Sequence, residues 1–227
     1  MKVCILYSGA KDSNYALYLA KKMGHDIPCL VTFMSNNPES YMFHTPNIKW
    51  VKIQAKAIEI PIEIFKTEGI KELELKDIEN ALKKIKKKYK IEGVVSGAIE
   101  SDYQRKRIKK ICESLDLKSI NPLWKLNPEK YMKELVDSGF KIKIVGVYAE
   151  GLTKDWLGKS LNKDTFDKLK KLNQKYKVHM AGEGGEYETF VCDGPIFKKR
   201  IKILRALKKW KNNSGHLDIQ EVKLIKK

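Results

Sequence analysis

"VCILYSGAKDSNYALYLA", residues 3–20, decides the fold. A five-residue apolar run suited to a buried strand breaks at Ser8-Gly9-Ala10-Lys11-Asp12-Ser13 and resumes with helical spacing from residue 13. A strand that turns into a helix within six residues opens a βα unit, and the alternation continues. Strands are expected at 3–7, 28–34, 61–66 and 91–96, and helices at 13–23, 46–58, 72–89 and 103–115. "PCLVTF" and "EGVVSG" are near-continuous apolar runs, as strands covered on both faces must be. The expected fold class is α/β: a Rossmann-like parallel sheet with helices on both faces.

"KSINPLWKLNP", residues 118–128, carries two prolines and two asparagines and reads as a boundary between a domain at 1–120 and a second at 121–227. Beyond it come a helix at 129–137, the strand "KIKIVGVYA", a helix at 162–176 and the glycine-rich "AGEGGEYETFVCDGP". "RIKILRALKKWK" and "HLDIQEVKLI", joined by "NNSG", read as a closing hairpin. The second domain is therefore expected to be smaller and α+β.

Net charge is +18 with a pI near 9.6, which raises the question of a nucleic-acid partner. Of the 46 basic residues only Arg105, Arg107, Arg200 and Arg205 are arginines. Lysines spread over solvated helix faces such as "LKKIKKKYK" account for the charge, and nucleic acid is not the expected substrate. Apolar runs fall far short of the ~20 residues that span a bilayer, and no signal-type run follows Met1, so no membrane partner and a cytoplasmic address are expected. Cys4, Cys29, Cys112 and Cys192 form no CxxC pair, and His25, His44, His179 and His216 are scattered, so buried reduced thiols are expected rather than a zinc or redox motif.

The 8–13 turn matches neither GxxxxGK[ST] nor GxGxxG. Small residues at 8–10 let the main chain approach an anion, successive N–H groups can form a nest, and the helix start adds its positive dipole end. Ser8 and Ser13 supply hydroxyls, while Asp12 either holds Mg²⁺ or caps the helix. An ordinary capped helix start has the same composition; the position, beyond the carboxyl end of the first strand, favours a ligand. "EGGEYETF" sets Glu183, Glu186 and Glu188 within six residues of a basic chain, beside Gly182, Gly184 and Gly185. A solvated loop ahead of a strand reads equally well there.

"YSGAKDS" resembles the SGGxDS loop of N-type ATP pyrophosphatases, with Ala10 where glycine is usual; a negative φ at Ala10 is expected to absorb the change. "ESYMFHTPNI" (39–48), "SGAIESDYQRKRIKKICESLDL" (96–117), "NPLW" (121–124), "GLTKDWLGK" (151–159) and "GEGGEYETFVCDGPIF" (182–197) resemble the archaeal diphthine–ammonia ligases over nearly the whole chain. The resemblance implies ATP-dependent amidation of diphthine on translation elongation factor 2 through an acyl-adenylate, giving diphthamide, AMP and pyrophosphate. Residues 8–13 would take the phosphates with Mg²⁺ at Asp12, and Gly97 and Ala98 would line the nucleotide. The resemblance also implies an adenine nucleotide alpha hydrolase-like fold for the first domain. Ser101 or Asp102 would cap the helix that presents Tyr103, Gln104 and Arg105 to the substrate from its first turn, and Arg105 or Arg107 would reach the α-phosphate or the substrate carboxylate, although a surface ion pair is the favoured reading of Arg107. Tyr103, Trp124, Trp156, Tyr187 and Phe190 would wall the trimethylammonium group, or else be plain core, and Glu183, Glu186 and Glu188 would supply counter-charge and a proton acceptor for ammonium. No glutaminase domain fits in 227 residues, so free ammonium is the expected donor, and a homodimer stands as the candidate assembly. The competing readings are an ATP-dependent tRNA-modifying ligase and a non-catalytic adenine-nucleotide-binding module.

Overall fold

The structure, a computed structural model, describes residues 1–37, 47–70 and 72–227. Most of the quoted 39–48 stretch, with His44, and the first residue of the helix expected at 46–58 lie outside the described residues. The chain divides into two units, Met1–Trp124 and Lys125–Lys227.

In the first unit, strands β1 (Lys2–Leu6), β2 (Asp26–Ser35), β3 (Ile62–Thr67), β4 (Gly93–Val95) and β5 (Lys118–Ile120) pair in the order β3-β2-β1-β4-β5. Every pairing is parallel, as the alternation predicts. Crossovers run through α1 (Lys11–Lys22), α2 (Val51–Ile58), α3 (Leu73–Tyr89) and α4 (Asp102–Ser114). Strand order reverses at β1, which opens a crevice beyond the carboxyl ends of β1 and β4. Ile78, Leu82 and Ile85 of α3 and Ile108, Ile111 and Cys112 of α4 bury against Cys4, Cys29, Val31 and Val94 of the sheet. The stretch read as a boundary contains β5, which pairs Lys118 with Gly93 and Ile120 with Val95. Three residues flanked by Asn and Pro show no periodicity of their own; the neighbouring strand makes them a strand.

The second unit carries α5 (Pro128–Asp137), β6 (Lys141–Val147), α6 (Lys163–Tyr176), β7 (Tyr187–Asp193), β8 (Lys199–Lys211) and β9 (Ser214–Lys226). Asn127 caps α5 by accepting from the Lys130 N–H, with Pro128 in the first turn, and Asn162 and Thr165 form a reciprocal capping box on α6. The sheet is antiparallel in the order β7-β6-β9-β8. β9 pairs with β6 only at Gly215 and His216, because residues 158–161 take the rest of that edge: Gly158 N–H donates to Ile144 O (2.8 Å) and Leu161 N–H to Ile142 O (2.9 Å). The β8–β9 hairpin therefore runs beyond the strand that anchors it. Among the described residues no helix is long and apolar enough to cross a membrane.

Candidate functional site

At the first βα turn, α1 begins at Lys11, two residues before the position expected from spacing. Ala10 occupies the N-cap position at φ −78°, the negative value expected there, and no side chain caps the helix. Asp12 lies inside the first turn, so its capping reading is corrected. The local polar groups instead brace the turn from below. Ser13 Oγ and Asn14 Nδ2 both donate to Ala10 O (3.1 and 2.9 Å), and Ser8 N–H donates to Ser13 Oγ (3.3 Å). The Tyr7 hydroxyl donates to Asn14 Oδ1 (2.9 Å), and burial holds that phenol well above its ordinary pKa.

Gly9 sits at φ +80°, and Gln54 Nε2 of α2 donates to its carbonyl (2.8 Å). A Cβ at position 9 would lie 2.0 Å from Gln54 Oε1, so glycine is required twice over, by conformation and by space. Lys11 is 3% exposed and its ammonium donates to both Asp12 oxygens (3.0 and 2.9 Å). It does not point to solvent; it rests on Asp12.

The β4–α4 loop reaches the same place. A Cβ at Gly97 would lie 2.9 Å from Asp12 C and 3.0 Å from Asp12 O and Ser13 N, so its main chain lies directly on the first turn of α1. Ala98 beside it is buried. Ser101 caps α4 by accepting from the Gln104 N–H (3.3 Å), and Asp102 begins the helix. Arg105 pairs with Asp102 (3.0 Å) and stacks on Trp124, its guanidinium carbon 4.2 Å from the ring centroid. That hydrogen bond holds the Asp102 carboxyl below the usual carboxylate range. Arg105 Nε is buried and finds no acceptor among the described residues. Arg107 stacks 3.5 Å over the Tyr103 ring and pairs with Glu72, which is the ion-pair reading of that residue. Trp124 and Tyr103 thus each carry one of the chain's own cations on a face.

In the second unit, His179 organises the acidic segment. Its Nδ1 accepts from the Ala181 and Glu183 N–H groups (3.1 and 3.3 Å), and its own N–H donates to Glu186 Oε1 (2.9 Å). The second oxygen, Glu186 Oε2, is buried and has no hydrogen-bond partner among the described residues. Gly182 and Gly185 take φ +67° and +80°, the left-handed region that favours glycine; Gly184 between them does not. Glu188 pairs with Gly146 across β7 and β6. Tyr148, 44% exposed, lies alongside: a Cβ at Gly146 would meet its hydroxyl at 2.8 Å and Glu188 Cβ at 3.1 Å. Burial, with the Glu188 charge adding, pushes the Tyr148 phenol up to about 12. Tyr187, Phe190 and Trp156 are buried, and the Tyr187 hydroxyl donates to Met180 O (2.6 Å); all three occupy core positions.

Gln54 and Tyr148 carry no local motif, whereas Asn14 directly follows the 8–13 turn and His179 stands four residues ahead of the first glutamate, both close enough in sequence to have drawn notice. Among the described residues no three His, Cys, Asp or Glu side chains gather as a metal site; Asp12 is a single carboxylate beside the loop. The four cysteines are buried thiols, with Cys29, Cys112 and Cys192 pushed up to about 12 by burial.

Family models described as "Diphthamide synthase N-terminal domain" and "Diphthamide synthase C-terminal domain" match residues 1–119 and 127–225. A Homo sapiens protein named diphthine–ammonia ligase is 36% identical over 225 residues, 89% of this chain and 83% of that one. The Danio rerio protein of the same name is 36% identical over 89% of this chain and 86% of its own. A Schizosaccharomyces pombe namesake is 34% identical over 98% of this chain but only 39% of its own length. A solved structure titled as a predicted subunit of tRNA methyltransferase from Methanocaldococcus jannaschii aligns over 86% of this chain and 98% of its own at TM-score 0.44 and 16% identity, too distant to bear on function.

Proposed function

The chain belongs to the diphthine–ammonia ligase family, and from that premise we propose that it uses ATP and ammonium to amidate diphthine, the modified histidine of translation elongation factor 2. The observation that carries the assignment is the uncapped start of α1, walled by Gly9, Ala10 and the Gly97 main chain, at the crevice where strand order reverses. Such a cradle suits a polyphosphate: the helix start is uncapped and presents its positive end, and Gly9 and Ala10 let the main chain come close to an anion.

In the proposed reaction a diphthine carboxylate oxygen attacks the α-phosphorus of ATP as the α–β bridging P–O bond breaks. Ser8, Gly9, Ala10 and Ser13 receive the departing pyrophosphate, the Ser8, Ala10 and Ser13 donors exchanging their bonds within the turn for phosphate oxygens whose charge grows as the bond lengthens. Asp12 would hold Mg²⁺, a site that suits the metal because Mg²⁺ takes one or two carboxylates together with substrate phosphates; when bound it supplies charge neutralisation. Lys11 fixes the Asp12 carboxylate in position. Arg105, its Nε lacking an acceptor while Trp124 keeps the guanidinium plane oriented, is assigned to the α-phosphate or the substrate carboxylate.

Ammonia then attacks the acyl carbon of the adenylate, the C–O bond to AMP breaks, and the amide forms. Glu186 is assigned to the trimethylammonium group, which cannot donate a hydrogen bond and so matches an oxygen that receives none. Glu183 and Glu188 are left to accept the proton that ammonium must lose. The first unit would serve the nucleotide and the second the diphthine, in the cytoplasm. The test is pyrophosphate release with diphthine-bearing elongation factor, ATP and ammonium. Release requiring all three is expected; nucleotide binding without turnover would overturn the assignment.

A further inference from the structure

Half of the chain's net charge lies in its last thirty residues. Residues 198–227 hold eleven Lys and Arg against Asp218 and Glu221, a net +9 of the +18, and all eleven are exposed. A lysine-rich composition alone gives an even spread. The fold then sets like charges directly opposite one another: Lys199 pairs in register with Lys226, and Lys202 with Lys223. Such rungs weaken a ladder unless something anionic is brought to them. Arg200 and Lys227 pair with Asp193, and Lys209 with Asp218. Lys199, Lys202, Arg205, Lys208, Lys223 and Lys226 have no ion pair among the described residues.

Two observations choose between kinds of anion. Register shifts on both sides of Arg205 break the ladder, and around them Leu204 and Leu207 stand 46% and 49% exposed. Bulges re-aim side chains, here bringing leucine to the surface between lysines. A phosphate backbone is met by charge and hydrogen bonds and has no use for exposed leucine, whereas protein interfaces pair an apolar centre with a charged rim. The second observation is register across the sheet. Gly146 pairs with Glu188 on one side and His216 on the other, and His216 pairs with Lys209. With strands about 4.8 Å apart and about 3.3 Å per residue, Lys209 lies roughly 15 Å from Glu188, and Lys202 lies about another 23 Å along β8 from there.

We propose that the β8–β9 ribbon is a docking arm for an acidic, apolar-centred face of the protein substrate, a face set off by the length of the arm from the residue that Glu186 and Glu188 receive. The substrate's identity rests on the reaction proposed above; the chemistry of the docked face rests on the ribbon. The variants are Lys202→Glu/Lys208→Glu/Lys223→Glu and, separately, Leu204→Ser, with the triple Lys→Arg change as control and far-UV circular dichroism to confirm folding. Binding of fluorescently labelled elongation factor, with and without diphthine, is followed by anisotropy at low and high salt, and amidation by steady-state kinetics. Expected are a rise of about tenfold or more in Kd and KM for the factor in the charge-reversed chain, little change in kcat or in KM for ATP, loss of the wild-type salt dependence, and recovery in the arginine control. Unchanged factor binding in the folded charge-reversed chain would overturn the inference, as would tRNA binding the wild type more tightly than the factor. If the wild type binds the factor through the ribbon but does not amidate it, the reaction fails while the docking arm stands.

Discussion

Replacing Gly97 by alanine tests the cradle with one methyl group. The new Cβ would meet three main-chain atoms of Asp12 and Ser13 at 2.9–3.0 Å, where ordinary contact begins near 3.4 Å, so the two loops must part by about half an ångström. Neither contact is a flexible side-chain end that can swing aside. Overpacking of this kind costs about 2 kcal/mol, which for a unit of this size lowers Tm by roughly 8 °C. The chemistry suffers separately. A 1 Å misplacement of reacting groups costs about a hundredfold, so half that distance predicts a loss of about tenfold in kcat/KM for ATP. Calorimetry and a pyrophosphate-release assay measure the two effects. Gly139→Ala is the matched control: its φ is +86° with nothing within 4 Å of the added carbon, so it loses stability through strain and leaves pyrophosphate release unchanged. A folded Gly97→Ala chain with wild-type ATP kinetics would refute the placement of nucleotide between these loops.

Asp12→Ala should reduce pyrophosphate release at least a hundredfold; the residue caps no helix, but its loss removes the carboxylate on which the buried Lys11 ammonium rests, so the melting temperature should fall by several degrees as well, and unchanged turnover in the folded variant would remove Asp12 from the mechanism. Glu186→Gln keeps an acceptor for the His179 N–H but removes the charge; KM for the diphthine-bearing factor should rise about tenfold with ATP binding unchanged, and equal loss of both would assign Glu186 a structural role. Ala10→Gly should leave Tm and turnover within error, because the extra freedom of the unfolded chain is offset by glycine's preference for the N-cap position. The thiols are checked with a chromogenic thiol reagent at pH 8. Thiols near 12 are thiolate to only about one part in ten thousand there, so the native chain should react orders of magnitude more slowly than the unfolded one, and rapid native labelling of Cys29 or Cys112 would contradict their burial.

The parallel sheet was legible because doubly covered strands write themselves as apolar runs, and the terminal hairpin because "NNSG" is turn chemistry between two alternating stretches. β5 was not, since its three residues owe their conformation to β4. The small residues at 8–10 announce a close approach, but the partner that enforces Gly9 is Gln54, 45 residues on, and nothing local marks it. The same holds for His179, whose ring nitrogen shapes the acidic segment from outside the glutamate pattern. Along the chain the lysines looked evenly solvated; pairing two strands in register turned a composition into a field.

β8 is the outermost strand of its sheet, and half of its hydrogen-bonding groups face away from β9. A thirteen-residue rim of that kind invites a second molecule to add its own strand and propagate a stack. Mutual repulsion between cationic rims on approaching molecules keeps them apart, so the residues that recruit a partner also keep the protein dispersed. Neutralising them to improve crystals or simplify purification would remove that repulsion and open the edge to pairing, most of all near the new isoelectric point, where net charge vanishes.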